Sequence, residues 1–165
     1  MRVPAPITHP VGMSHDAAEP VVPEPFTARV AVRHYELDAQ GHVNGAVYVQ
    51  WADHVKWLCV RAAGGTVDAF RAGGAGPINL ETTIRYHHEL RHGDEVDVTC
   101  AFVWGDGKTF RIEQEFRTPD GMLVAEVTSV CGLLDLRERR LLPDPAEYYR
   151  RAVATVPERL GLASR

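Results

Sequence analysis

Asp38, His42 and Asn44 fall within one stretch of seven residues, and Gly45 follows directly. A carboxylate in such a loop can activate water as a general base, or attack a carbonyl carbon itself. His42 can relay a proton or orient the carboxylate. Asn44 is a preferred N-cap residue, and a helix starting there carries a partial positive charge on main-chain N–H groups without partners. Gly45 has no side chain to shield its own N–H, so a carbonyl oxygen placed there would be polarised as in an oxyanion hole. Each residue taken alone also has a plainer reading. An aspartate before a helix is most often a turn or capping residue, an asparagine a cap, and a histidine a satisfied loop side chain.

Other groups are weaker candidates. Asp53 is the one further carboxylate on the expected helix, and it stands three residues before Lys56, the spacing of a surface ion pair. It is the reserve base. Arg85, His87 and His88 could hold a phosphate, although a solvated strand face explains them as well. The histidines lack metal-ligand spacing: no HxH or HExxH occurs, and adjacent His87 and His88 point to opposite faces of a strand. Gly73-Gly74-Ala75-Gly76 has no lysine and reads as a flexible loop, not a phosphate cradle.

Positioning these groups requires one helix and a sheet. Apolar side chains recur at Val47, Trp51, Val55, Leu58 and Ala62, the spacing of a buried stripe, and Gly64-Gly65 can close the helix. The pattern predicts a helix over Gly45–Ala63, about 28 Å long. Phe26 to Glu36 alternates as a half-buried strand, with Phe26, Ala28, Val30 and Val32 on one face. Val67 to Arg71 can form one helical turn. Ile78, Leu80, Thr82, Ile84 and Tyr86 then share a face, and Arg91-His92-Gly93-Asp94 reads as a turn. Alternation resumes over Val96–Trp104, Phe110–Phe116 and Met122–Leu136, separated by Gly105-Asp106-Gly107 and Pro119-Asp120-Gly121. Four consecutive strands joined by tight turns predict an antiparallel meander, curled around the helix in two layers. Asp144 to Ala154 reads as a short terminal helix started at Pro145.

The chain of 165 residues has the length of one domain, and 45% hydrophobic residues suffice for a core. A net charge of -4 without a basic cluster speaks against nucleic acid as a partner. Three cysteines without close spacing make a disulfide framework improbable and a reducing cytoplasm the expected compartment. No apolar run is long enough to span a membrane, and prolines interrupt the N-terminus where a signal peptide needs an unbroken apolar segment. Residues 1–25 hold six of the eleven prolines and read as a disordered or loosely attached tail.

The stretch from Tyr35 through Asp38-Ala39-Gln40-Gly41-His42-Val43-Asn44-Gly45 to Tyr48 resembles the signature of hotdog-fold thioesterases. These include the 4-hydroxybenzoyl-CoA thioesterase-like enzymes and the acyl-ACP thioesterases. A weaker likeness continues through Ile84-Arg85-Tyr86 and Gly93-Asp94-Glu95-Val96, so it covers Val30 to Leu136. The resemblance implies an α+β hotdog fold over residues 26–165, an antiparallel sheet of about five to six strands wrapped around one long central helix. It also implies homodimers or homotetramers with active sites at the dimer interface. In the hydroxybenzoyl-CoA branch the residue at the position of Asp38 is the catalytic carboxylate, and the N–H at the position of Gly45 polarises the thioester carbonyl. In the acyl-ACP branch Asp, Asn and His stand at the positions of Asp38, Gln40 and His42; here the histidine is kept and the asparagine is a glutamine. Many relatives carry Asn or His where this chain has Gly45.

The expected activity is hydrolysis of an acyl-CoA or acyl-carrier-protein thioester, with a fatty, aromatic or polyketide-type acyl group near Tyr48 and Trp51 and Arg85 as a further substrate contact. No metal or cofactor is implied. Two alternatives remain: a hotdog dehydratase working through His42 and Asp53, and a non-catalytic acyl-thioester binding module.

Overall fold

The structure, a computed structural model, describes residues 25–153 and 155–162. The expected tail over residues 1–25 therefore lies outside the described residues, apart from Pro25. The chain forms strand β1 (Phe26–Ala31), a single 3-10 turn (His34–Glu36), helix α1 (Gly45–Ala62), a short helix α2 (Val67–Ala72), strands β2 (Ala75–Tyr86), β3 (Glu95–Val103), β4 (Thr109–Arg117) and β5 (Leu123–Asp135), helix α3 (Pro145–Ala152) and a final 3-10 turn (Pro157–Leu160).

Helix α1 begins where the cap residue predicts: the Asn44 side chain accepts from the Ala46 N–H at 2.9 Å. It ends at Gly64, whose φ of 91° is the left-handed conformation a glycine adopts freely. The buried face is broader than the predicted stripe. Tyr48, Ala52, Cys59 and Val60 join Val47, Trp51 and Val55, while Leu58 is half-buried and Ala62 is exposed. α1 packs on β1 and β3, and its buried residues are continuous with Val96, Val98, Phe116, Ala125, Val127 and Leu133 of the sheet. Burial of such side chains stabilises by about 1.5–3 kcal/mol each, so sheet and helix hold each other.

The sheet has five antiparallel strands in the order β1-β3-β4-β5-β2. This is the hotdog architecture, with one correction to the predicted meander. Only β3, β4 and β5 follow one another; β2 pairs with β5 at the far edge, and β3 lies beside β1. The Arg91–Asp94 turn is real, with the Asp94 N–H bonded to the Arg91 carbonyl at 3.1 Å. It ends a crossover, however, not a hairpin. Residues 87–94 carry the chain from one edge of the sheet toward the other, past the N-terminus of α1. There the Val43 N–H bonds the carbonyl of buried Leu90 at 2.9 Å.

A second correction concerns β2. Asn79 pairs opposite Cys131 and Glu81 opposite Val130, so Leu80 is the extra residue of a bulge and is 49% exposed. One inserted residue shifts the alternation. Ile78 and Leu80 leave the predicted face and Asn79 takes it, bonded to Cys131, while Thr82 stays on it and bonds Ser129. Beyond the bulge, Ile84 and Tyr86 keep the predicted side.

Candidate active site

The loop from Leu37 to Val43 is a closed hairpin held by its own main chain. The Asp38 N–H bonds the His42 carbonyl at 2.7 Å, and the Leu37–Val43 bridge closes the base. Gly41 makes the turn with a φ of 80°. The Asp38 side chain folds back over it: Oδ1 accepts from the N–H groups of Gln40 at 2.8 Å and His42 at 3.1 Å, leaving Oδ2 outside both. The Gln40 amide, followed by the His42 amide, holds the Asp38 carboxyl below the usual carboxylate range. It is therefore ionised at neutral pH.

Glu36 fixes this hairpin to α1. It is buried, and its carboxylate accepts from the Trp51 indole N–H at 3.0 Å and the Arg33 N–H at 2.7 Å. Its carbonyl accepts from the Asn44 N–H at 2.9 Å. The last residue before the helix is thus tied down from the loop side. The N–H of Gly45, first in the helix, makes no hydrogen bond among the described residues.

Asp38, His42, Val43, Gly45 and Tyr48 line one open cleft of about 410 Å³ with Tyr86, His87, His88 and Glu89. Tyr48 forms its floor, with its ring edge-on to Tyr86 at 5.2 Å. Burial first, and the neighbouring Tyr86 second, push the Tyr48 hydroxyl up to about 12. Tyr48 is therefore an apolar wall and not an acid–base group near neutrality.

Tyr86 and Glu89 are functional candidates that residue spacing does not offer. Glu89 Oε2 stands 3.0 Å from His42 Nε2, while its other oxygen accepts from the Arg91 guanidinium at 2.7 and 3.0 Å. Arg91, with His42 a smaller contributor, holds the Glu89 carboxyl below its ordinary range. The Tyr86 hydroxyl donates to the Gly45 carbonyl at 3.3 Å. No local pattern brings either residue to the cleft, because Tyr86 reaches it from the end of β2 and Glu89 from the crossover that follows. The crossover is itself tied to β5 through the Val124 carbonyl, which accepts from the N–H groups of His87 and His88.

Three other candidates lie elsewhere. Trp51 is buried with its N–H bonded to Glu36, and it faces a separate cavity beside Arg29, Arg33 and His54. The helical turn from Tyr48 to Trp51 swings the indole toward β1, so it is not a wall of the Asp38 cleft. Arg85 is exposed and absent from that cleft, since adjacent residues of a strand face opposite ways and Tyr86 takes the inner side. Asp53 pairs with Lys56, as their spacing predicts, and lines a different cavity with Asn79 and Gln114. Within the chain, His42 and Asp53 do not share a site. Among the described residues, no three His, Cys, Asp or Glu side chains are grouped to hold a metal ion, and the three cysteines are free and buried. No described helix is long and apolar enough to cross a membrane.

The order of strands around α1 is that of a hotdog fold. The model of the thioesterase-like superfamily matches residues 32–160, and the chain belongs to that family. Its class of reaction is accordingly thioester hydrolysis. Solved structures share the fold. A probable thioesterase from Escherichia coli is 21% identical, with a TM-score of 0.69 over 79% of this chain and 98% of its own. A 1,4-dihydroxy-2-naphthoyl-CoA thioesterase from Synechocystis is 17% identical, with a TM-score of 0.70 over 79% and 96%. A hypothetical protein from Staphylococcus aureus in complex with CoA is 20% identical, with a TM-score of 0.72 over 86% and 89%.

Proposed function

We propose that this protein hydrolyses an acyl-CoA or acyl-carrier-protein thioester to the free acid, with Asp38 as the working carboxylate. One observation carries the reading: an ionised carboxylate and an unpaired helix N-terminal amide border the same cleft. The thioester carbonyl oxygen accepts from the Gly45 N–H, where the helix dipole favours developing negative charge. Asp38 then takes a proton from water as the water oxygen bonds to the carbonyl carbon, the C–S bond breaks, and that proton passes to the departing thiolate. In the other route Asp38 attacks the carbon itself and expels the thiolate, and water then cleaves the resulting acyl–Asp38 anhydride, which releases the acid, restores the carboxylate and supplies the proton for the thiolate. His42, held by Glu89, orients the Asp38 hairpin, and Asn44 keeps the helix start in place.

The acyl group, fatty, aromatic or polyketide-type, lies against Tyr48, Tyr86 and Val43. Similarity to a CoA-bound structure and to a CoA thioesterase favours CoA as the carrier. Sheet-edge strand β2 exposes Leu80 and a row of main-chain groups on its free side, which supports pairing with a second copy. A homodimer, or a homotetramer built from it, would wall the open side of the cleft. Leu80→Asp should shift the light-scattering mass toward the monomer; an unchanged mass removes β2 as the contact.

The decisive experiment is a hydrolysis screen of acyl-CoA and acyl-carrier substrates differing in chain length and aromaticity, run with the wild type and Asp38→Asn. Turnover abolished by the substitution supports the thioesterase. Tight binding without turnover of any substrate would leave the binding module. Single turnover in ¹⁸O-water, with label sought in the protein, separates attack by Asp38 from activation of water.

A further inference from the structure

We infer that the Tyr86 hydroxyl is a second donor to the substrate carbonyl, working beside the Gly45 N–H and made possible by the missing side chain at position 45. The inference rests on the thioester reading above and names a residue beyond it. A Cβ built on Gly45 would stand 3.0 Å from Tyr86 Oη, tighter than ordinary van der Waals contact. The phenol thus occupies the space that a side chain at the first helical position would need. Glycine and tyrosine are complementary here although they are separated by the whole of α1, α2 and β2.

Three features make Tyr86 fit for a ligand and not merely for packing. It is 54% exposed and lines the cleft that contains Asp38 and Gly45. Its ring is held edge-on against the buried Tyr48 ring, which restricts its swing and aims the hydroxyl at the helix start. Its bond to the Gly45 carbonyl is 3.3 Å, longer than the roughly 2.5–3.0 Å of a good O–H···O bond. Little is lost when the hydroxyl rotates about its Cζ–O bond toward an incoming oxygen. The Leu80 bulge is part of the device. Without the extra residue, the parity that sets Ile78 outward would place Tyr86 on the other face of β2.

The test uses Tyr86→Phe, Gly45→Ala and the double variant. Removing one oxyanion donor elsewhere costs about 10²–10³ in kcat; for Tyr86→Phe a fall of about 10- to 100-fold in kcat with little change in KM is expected. Gly45→Ala should displace the hydroxyl and lower kcat in the wild-type background, yet cost little more once the hydroxyl is gone. Tyr86→Phe within about twofold of wild type, a loss confined to KM, or additive losses in the double variant would each overturn the inference.

A binding measurement keeps it separate from the parent reading. The carbonyl stretch of a bound ketone analogue, with the thioester sulfur replaced by CH₂, should lie lower in the wild type than in Tyr86→Phe. Equal frequencies, or no binding of the analogue, overturn the Tyr86 inference. A wild type that turns over no thioester, yet shows the frequency difference, defeats hydrolysis and leaves Tyr86 standing.

Discussion

The two ends of α1 are built on opposite plans. At its C-terminal end the main chain is tied down: the Ala63 carbonyl accepts from the Val156 N–H at 3.2 Å, and the Gly65 N–H bonds the Val60 carbonyl at 2.9 Å. Beyond it, Tyr149 of α3 is fully buried against Phe70, Phe102, Trp104 and Phe110, with ring centres 4.8–5.7 Å apart. Burial pushes the Tyr149 hydroxyl far up. The Trp104 N–H, which donates to the Leu160 carbonyl, pins the last turn over this plug. At its N-terminal end the same helix leaves the Gly45 amide bare and surrounds it with carboxylates, histidines and solvent. Buried aromatic rings are packed where the helix is closed, and titratable groups are gathered where it is open. The division follows from polarity: the N-terminus is the end whose free N–H groups attract an oxygen.

Substitutions at either end can break or sharpen this contrast. The largest expected effect is Asp38→Asn. Asn retains an oxygen for the Gln40 and His42 amides, so the hairpin should fold and Tm should change little. Turnover should nevertheless fall about 10²–10⁴-fold, the scale of a lost general base. A large drop in Tm would show that Asp38 serves the fold first. Tyr149→Ala is the mirror experiment at the closed end, with an expected loss of about 3–5 kcal/mol in denaturant unfolding, the range for deleting a buried aromatic ring. Turnover per folded molecule should stay near wild type.

Glu89→Gln tests how the open end is organised. Removing the charge that faces His42 and Arg91 should lower kcat by about tenfold while unfolding barely responds, since an exposed ion pair contributes about 0–1 kcal/mol. The pH profile is read on the wild type. Because Asp38 is held below its ordinary value, kcat/KM should remain level as pH falls from 7 to about 5 and decline only below about 4. A decline beginning at higher pH would assign the essential proton to another group. The smallest effect is expected for Asn44→Ala, about 1 kcal/mol for a lost N-cap. That cost would be well under the Tyr149 effect.

Much of this could be read from residue order. Helix α1, its Asn44 cap and its Gly64 stop depend on neighbours within a few residues, and so does the Asp53–Lys56 pair. The loop bearing Asp38 was legible for the same reason, though not its closure into a hairpin. β2 was the weak point. Alternation cannot register one inserted residue, so spacing alone puts Leu80 on the core face. Nor can a turn at Arg91–Asp94 show whether the strands on either side pair with each other.

Residue types and spacing alone therefore established a central helix, an antiparallel sheet around it, and a carboxylate beside the helix start, because each depends on contacts between near neighbours. The company that carboxylate keeps came from long-range packing. β2 lies beside β5 and not β3, so the chain must cross the mouth of the sheet, and the end of β2 and the crossing after it deliver Tyr86 and Glu89 to a loop more than forty residues earlier. Strand order is selected by which apolar faces can be buried together around α1, a property of the whole core that no local pattern contains.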